Sequence, residues 1–121
     1  MLKVAKEALK NAYAPYSGFK VAAVIYGEDG LLTGVNVENA SLGLTLCAER
    51  VAVFKAVSEG KRKFEKMLIY TPGEENLPYP CGACRQVIGE FFPEDFTVIV
   101  KNDREEEQFT LGELLPFKFS L

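Results

Sequence analysis

The chain has 121 residues, enough for one domain, and its 48% hydrophobic and 26% charged residues are typical of a globular protein. Its 14 basic and 17 acidic residues give a formal net charge of -3, which argues against a general nucleic-acid-binding surface. The sequence contains three cysteines and no histidine. An odd number of cysteines does not suit a closed set of disulfides, and the missing histidine excludes serine–histidine and cysteine–histidine catalysis within the chain.

The first residues predict an amphipathic helix rather than an export signal. Lysines alternate with apolar residues over residues 1–14, Pro15 ends the pattern, and the continuous apolar segment of a secretory signal is missing. The longest apolar run, residues 21–26, is far shorter than the roughly 18 residues of a membrane span. We therefore expect a cytoplasmic protein without a membrane segment. In that reducing compartment, clustered cysteines bind metal or react more often than they form structural disulfides.

The rest of the chain predicts strands that alternate with helices. Two β-rich runs, residues 19–26 and 31–37, flank a glycine-containing turn and predict a hairpin. The elements that follow are a helix over 46–59, a strand over 66–70, a helix over 81–92, a strand over 96–100, a short edge strand over 108–110 and a final helical turn. This order favours one α/β domain over residues 1–121, with the first two strands antiparallel and the later strands parallel.

The three cysteines all stand where predicted helices begin. Cys81 and Cys84 form a Cys-x-x-Cys pair after Pro80, and Cys47 lies at the start of a different helix. The helix dipole and the free backbone N–H groups favour a thiolate at such a position. Three thiolates, two of them at chelate spacing, suit zinc. The alternatives are that some of them are buried small apolar residues, or that the pair is a thioredoxin-like redox site.

The number of ligands indicates the kind of zinc site. A closed structural site takes four cysteine or histidine ligands, and this chain offers three. The fourth position is left to water, a carboxylate or another subunit. Three protein ligands and a water are typical of catalytic zinc. The alternative is a zinc-stabilised structural or interaction module, its fourth ligand coming from a partner.

Glu49 and Arg50 are two adjacent charges within an otherwise apolar predicted helix. Burial of unpaired charges is costly, so buried charges have partners or a function. One reading puts both residues on a solvated stripe of the helix. The functional reading puts Glu49 beside the zinc-activated water as a proton carrier. Arg50 would then offset the negative charge of three thiolates and donate hydrogen bonds to the sulfurs, which keeps the metal a strong Lewis acid.

The three cysteines and Glu49 lie in two short segments, residues 47–50 and 80–86. Together these segments resemble the small cytidine deaminases that use three cysteines. Further segments match the same family in the same order: residues 16–21, 36–41 and 114–119. The similarity therefore covers nearly the whole chain.

The resemblance implies both a fold and a reaction. The fold is a three-layer α-β-α sandwich with a five-stranded mixed sheet. The reaction is the zinc-dependent hydrolytic deamination of cytidine and 2'-deoxycytidine, a step of pyrimidine salvage. Cys47, Cys81 and Cys84 would hold one Zn²⁺, and the activated water would attack C4 of cytosine. Glu49 would carry protons to N3 and N4, and ammonia would leave.

The resemblance also assigns the substrate contacts. Asn36 and Glu38 would bind the ribose hydroxyls, and their alternation places both side chains on one face at a strand's end. Ordinary turn chemistry is the alternative for this pair. Phe19 would pack on the base, although a phenylalanine alone is more typical of the core. The backbone N–H of Ala48 would bind the base carbonyl oxygen.

Family members of this size are homotetramers whose pockets borrow residues from neighbouring subunits. In this chain the borrowed residues would come from the region of Ala40 and from Phe119 in the tail. Three positions depart from the family pattern: Leu42, where an aromatic residue is usual, Tyr79, where many members have serine, and Ala22, where glycine is usual.

A related enzyme that deaminates a cytosine-containing antibiotic nucleoside such as blasticidin S is the rival interpretation. Asn36 and Glu38 favour an ordinary ribose instead. The resemblance implies a nucleoside and water as partners, with no nucleic acid and no membrane.

Overall fold

The computed structural model describes the whole chain, Met1–Leu121. The elements in chain order are α1 (Leu2–Leu9), β1 (Ala22–Gly27), β2 (Gly30–Val35), a short 3-10 helix (Leu42–Leu44), α2 (Ala48–Ser58), β3 (Lys66–Tyr70), α3 (Gly82–Phe91), β4 (Thr97–Lys101), β5 (Glu106–Thr110) and α4 (Leu111–Leu114). None of the helices combines the length and the apolar character that a bilayer crossing requires.

The five strands form one mixed sheet in the order β2-β1-β3-β4-β5. β1 pairs antiparallel with both β2 and β3, and β3 pairs parallel with β4. The predicted five-stranded mixed sheet and the antiparallel first pair are therefore confirmed. The prediction of parallel later strands is wrong for β5, which pairs antiparallel with β4. Residues 102–105 are too short a connection for a parallel crossover, so β5 returns as a hairpin.

Helices cover both faces of the sheet. Successive side chains of β1 alternate between the faces, and they are buried on both. Ala22 and Val24 pack with Ala5 of α1 in a small cluster on one face. Ala23 and Ile25 belong to the larger core on the opposite face, which is completed by α2 and α3. The predicted three-layer α-β-α sandwich is confirmed.

The first helix is shorter than its apolar pattern predicts. α1 ends at Leu9, whereas the pattern continues to Ala12. After Leu9 the chain tightens, because the N–H groups of Asn11 and Ala12 bond to carbonyls three residues back. Tyr13 then forms a bridge with Val37, which draws this segment toward the end of β2.

A glycine contact fixes α2 against the sheet. A Cβ atom on Gly34 of β2 would lie 2.4 Å from the carbonyl oxygen of Ala48 and 2.5 Å from the nitrogen of Ala52. Only glycine therefore lets the first turns of α2 approach the strand this closely. This contact sets the position of the helix that carries Cys47 and Glu49.

Candidate metal centre and pocket

The three cysteines meet where α2 and α3 begin. Cys47 and Cys81 are the N-cap residues of these helices, and Cys84 lies in the first turn of α3. The three sulfurs all lie within 4.8 Å of one another, with 3.9 Å between Cys47 and Cys81 and 3.5 Å between Cys81 and Cys84. Sulfurs around a tetrahedral zinc are about 3.8 Å apart, since each Zn–S bond is about 2.3 Å. The donor set and its spacing therefore fit a zinc ion.

The alternative interpretations fit the cysteines less well. All three thiols are free, so no disulfide pair is formed. Cys84 is buried, but Cys47 is only partly buried and Cys81 is exposed. Burial as small apolar residues therefore describes one cysteine of the three.

The local charges favour ionised sulfur at Cys47. The pKa of its thiol is lowered to about 5, chiefly by the neighbouring Cys84 thiol and also by the Arg50 guanidinium. The pKa of Cys84 is raised, because it interacts with Cys47 and is desolvated by burial. Within this pair, Cys47 takes the thiolate form and Cys84 keeps the proton. Zinc binding displaces such protons, because thiolate is the form that ligates metal.

Arg50 faces the sulfur cluster. Its Nη2 donates to the sulfur of Cys47 at 3.5 Å and to the carbonyl oxygen of Thr45 at 3.4 Å. Its Nε is buried and has no hydrogen-bond partner. The solvated-stripe alternative therefore does not describe Arg50, whose charge lies against the Cys47 thiolate.

Glu49 is a buried carboxyl group on the first turn of α2. The residue is 4% exposed, and it lines a pocket together with Cys47 and Cys81. Burial is the main reason that its pKa is raised to about 7, and the charge on Cys47 raises it further. A carboxyl group with such a pKa can hold or release a proton near neutral pH.

The pocket brings together residues from distant parts of the sequence. Phe19, Asn36 and Ala48 line it along with Glu49. Phe19 is 40% exposed, so it lies at the edge of the pocket rather than in the core. Glu38 lines an adjoining depression that shares Thr45 with the pocket.

Asn36 and Glu38 also make hydrogen bonds within the chain. Asn36 accepts from the Val21 N–H at 3.0 Å and donates to the Phe19 carbonyl at 2.8 Å. Glu38 accepts from the N–H groups of Tyr16 and Ser17, both at 3.0 Å, and from the Ser17 hydroxyl. These contacts are the turn chemistry that the sequence left open as an alternative. The Asn36 contacts lie directly before β1, because the Asn36 side chain bonds to the backbone of Phe19 and Val21 and the strand begins at Ala22.

Ala40 and Phe119 lie outside this pocket. Both residues are exposed, and Phe119 is held through its carbonyl oxygen by the Gln86 side chain at 3.0 Å. Neither lines the pocket of its own chain. A substrate contact from either residue therefore requires a neighbouring copy.

Sequence reasoning missed several residues of the pocket wall. Thr45 and Leu46 precede Cys47, and Pro78 precedes Cys81 by three positions. Tyr79, identified above as a departure from the family pattern, lines the same wall. The residues that directly precede a metal ligand in the sequence must lie near the metal site. Proximity to the cysteines in sequence was therefore the signal that could have identified these residues.

Comparisons with known proteins agree with this arrangement. A family model described as the cytidine and deoxycytidylate deaminase zinc-binding region matches residues 1–100. A cytidine deaminase of Halalkalibacterium halodurans is 44% identical over 122 residues, which cover 99% of this chain and 92% of that protein. A solved structure of cytidine deaminase from Burkholderia pseudomallei superimposes with a TM-score of 0.90 at 41% identity, covering 97% of this chain and 94% of the other. The chain belongs to the cytidine and deoxycytidylate deaminase zinc-binding family.

Two further relatives show similarity over nearly the whole chain. A crystal structure of cytidine deaminase from Mycobacterium tuberculosis has a TM-score of 0.79 and 39% identity, covering 97% of this chain and 92% of the other. A blasticidin-S deaminase of Bacillus cereus is 27% identical over 127 residues, covering 99% of this chain and 90% of that protein. The identity with the blasticidin-S deaminase is thus lower than with the three cytidine deaminases from Halalkalibacterium halodurans, Burkholderia pseudomallei and Mycobacterium tuberculosis.

Proposed function

We propose that this protein catalyses the hydrolytic deamination of cytidine and 2'-deoxycytidine to uridine and 2'-deoxyuridine, with release of ammonia. The observation that carries the proposal is the group of three sulfurs beside buried Glu49 in a pocket that also holds Phe19 and Asn36. Membership of the deaminase family supports the same reaction.

The metal part of the proposal is one zinc ion per chain, held by Cys47, Cys81 and Cys84. Zinc supplies a Lewis acid that lets water ionise near neutral pH. Arg50 offsets the charge of the thiolates, and its contact with Cys47 supports this role.

Glu49 is the proposed proton carrier. Its carboxyl group takes a proton from the hydrolytic water and delivers it to N3 of the base. The water oxygen adds to C4, and the carboxyl group then takes the remaining proton of that oxygen and passes it to the amino nitrogen. The C–N bond breaks, the oxygen stays as the C4 carbonyl, and ammonia leaves. The raised pKa supports this role, because a carboxyl group near its pKa both accepts and donates protons readily.

The remaining pocket residues bind the nucleoside in this proposal. The N–H of Ala48 is free for the base carbonyl oxygen, because the first N–H groups of a helix have no partner within it. Phe19 packs on the base. Asn36 and Glu38 bind the ribose hydroxyls, since an amide and a carboxylate can make further hydrogen bonds beyond those within the chain.

The assembly that we propose is a homotetramer in which Ala40 and Phe119 reach a neighbour's pocket. Exposed apolar side chains support it, since Leu42 is 73% exposed, Leu44 67% and Phe119 68%. We further propose a single deaminase domain over residues 1–121 that works in the cytoplasm on free nucleosides. Three free thiols suit that reducing compartment, and the net charge of -3 does not favour nucleic acid.

A cytidine assay with parallel metal analysis tests the function. The purified protein is expected to contain about one zinc per chain and to lower the ultraviolet absorbance of cytidine and 2'-deoxycytidine solutions as uridines form. Zinc-loaded protein that leaves both nucleosides unchanged would contradict the proposal. If such protein unfolds on metal removal, it is a structural module. Preferential turnover of blasticidin S would favour the antibiotic-deaminase alternative.

A further inference from the structure

The loop between β3 and α3 forms one side of the pocket. We define residues 71–80 as the pocket loop. Pro78 and Tyr79 line the pocket, and the loop leads directly into Cys81. Tyr79 is 49% exposed, so burial alone does not fix its position. The placement of this wall therefore depends on contacts that the loop makes elsewhere.

The β4–β5 hairpin holds the first half of the pocket loop. Asp103 accepts from the N–H of Gly73 at 2.7 Å, and its own N–H donates to the Gly73 carbonyl at 2.8 Å. Asn102, which is fully buried, donates from Nδ2 to the carbonyl oxygen of Asn76 at 2.9 Å. Two residues of the hairpin turn thus hold two points of the loop.

The third contact is nearest to the pocket. The Tyr79 hydroxyl donates to Oε1 of Glu107 on β5 at 2.6 Å. The Tyr79 ring also packs against Phe109, with 6.1 Å between the ring centroids. A hydrogen bond to a charged acceptor is stronger than one between neutral groups, so this contact restrains a half-exposed side chain.

We propose that Glu107, acting through Tyr79, is a positioning residue that holds the pocket wall ready for substrate. The inference rests on the proposed function, because the substrate is the nucleoside assigned there. A wall that is already ordered loses less conformational entropy when substrate binds. Release of the contact therefore weakens substrate binding and leaves the chemistry at Glu49 and the metal ligands intact.

The test compares three single variants. Tyr79→Phe removes the hydroxyl and keeps the ring, and Glu107→Ala removes the acceptor. Glu106→Ala is the matched control, because Glu106 also lies on β5 but faces the opposite way and pairs with Lys101 at 3.9 Å. In both test variants, KM for cytidine should rise about three- to tenfold while kcat stays within about twofold. Zinc content should stay unchanged.

Amide hydrogen exchange of residues 72–79, followed by mass spectrometry, provides a readout that does not need catalysis. Exchange there should be faster in Tyr79→Phe and Glu107→Ala, and unchanged in Glu106→Ala. The double variant should show no larger rise in KM or in exchange than either single variant, because both substitutions remove the same contact.

Unchanged exchange, or additive losses in the double variant, would overturn the inference. A fall in kcat together with zinc content would also overturn it. If the wild-type protein does not turn over cytidine, the proposed function has failed, and the exchange data alone decide the role of Glu107.

Discussion

Glu49 combines two properties that are uncommon for a glutamate, since it is 4% exposed and its pKa is raised to about 7. Burial of a carboxyl group lowers the stability of the folded protein unless other interactions compensate for the lost hydration. Glu49 lines the pocket together with Cys47 and Cys81, so a molecule bound in that pocket would lie beside its carboxyl group. The residue therefore has the surroundings of a catalytic acid and base.

Glu49→Gln should keep the zinc and lose nearly all activity. The amide has the same shape but cannot carry a proton, so kcat for cytidine should fall by at least about 10²–10⁴-fold. Steady-state kinetics and metal analysis on the same preparation measure both effects. Glu90→Gln, an exposed glutamate on α3, is the control and should behave as wild type. Substantial turnover by Glu49→Gln would exclude this residue as the proton carrier.

Glu38 predicts a pH dependence of stability. Its pKa is lowered, mainly by the Ser17 hydroxyl and further by backbone N–H groups of Ser17 and Tyr16. The folded state therefore prefers the carboxylate. The resulting stabilisation is present above the ordinary pKa of 4.5 and is lost as the pH falls through the lower folded value.

Urea unfolding of Glu38→Gln and wild type over a series of pH values measures this effect. The variant should unfold at lower urea concentration near pH ~7, and the difference should shrink toward pH ~3. The comparison cancels effects common to both proteins, such as acid release of zinc. Glu28→Gln, at an exposed glutamate in the β1–β2 turn, is the control and should show no such trend. A difference that is constant with pH would show that the lost stability does not come from the ionised carboxylate.

At this scale, the sequence predicted the residue types of the site better than their contacts. Spacing was enough to group Cys81 with Cys84, and a charge within an otherwise apolar predicted helix was enough to single out Glu49. The bonds of Asn36 to residues 19–21 could not be predicted, because they depend on how two segments distant in sequence approach each other. The same holds for the contact of Tyr79 with Glu107.

Among the elements, α2 packs most closely against the sheet at the level of the backbone. Its side chains are apolar or small on the face toward the sheet, and Gly34 lets the helix backbone touch β2 directly. Since Cys47 and Glu49 lie at the start of this helix, a small shift of α2 would move both residues relative to Cys81. The geometry of the site thus depends on a glycine in a neighbouring strand.

Gly34→Ala should therefore damage both stability and metal binding. The added methyl would meet backbone atoms of Ala48 and Ala52, which cannot rotate away, and such overpacking costs about 1–3 kcal/mol. Thermal unfolding and zinc retention against a chelator measure the two effects. Gly112→Ala on α4 is the control, because a Cβ there makes only ordinary contacts at 3.5 Å or more. Equal stability of the two variants would mean that α2 can move away from β2 without loss.

The elements themselves were largely predictable, and their ends were not. β3 matches the predicted strand, because an apolar run of this length is too short for a typical buried helix and fits a buried strand. The apolar period of α1 continued past its end, since a bridge between Tyr13 and Val37 competes with the helix. β5 is longer than predicted because its charged residues are held by pairing with β4 rather than by apolar burial.

For the whole molecule, the exposed apolar side chains are unevenly distributed. Leu42 and Leu44 lie on the short 3-10 helix, and Tyr16 on the nearby loop is 55% exposed. Leu42 and Tyr16 also border the depression that contains Glu38. An apolar surface at the rim of a site is typical of a subunit interface that helps to complete it.

Leu42→Asp should weaken the proposed tetramer. A charge at a buried contact between copies is costly, so sedimentation or light scattering should report a smaller assembly than for wild type. Cytidine turnover should fall with the assembly, because the neighbour's contribution is lost. Leu31→Asp, near the turn of the β1–β2 hairpin, is the control and should keep the wild-type mass. A wild-type protein that is monomeric would contradict the prediction before any variant is made.

The origin of the metal ligands on two helices has a consequence for folding. Cys81 and Cys84 are one helical turn apart and can meet in an unfolded chain, whereas Cys47 joins them only when α2 and α3 have docked on the sheet. The assembled chain therefore offers zinc a third ligand already in place, whereas a disordered chain must first close the long loop between Cys47 and Cys81. By mass action, zinc then stabilises the native state to the extent that the folded chain binds the ion more tightly than the unfolded chain does. The abundance of intact protein in a cell should accordingly follow the supply of free zinc.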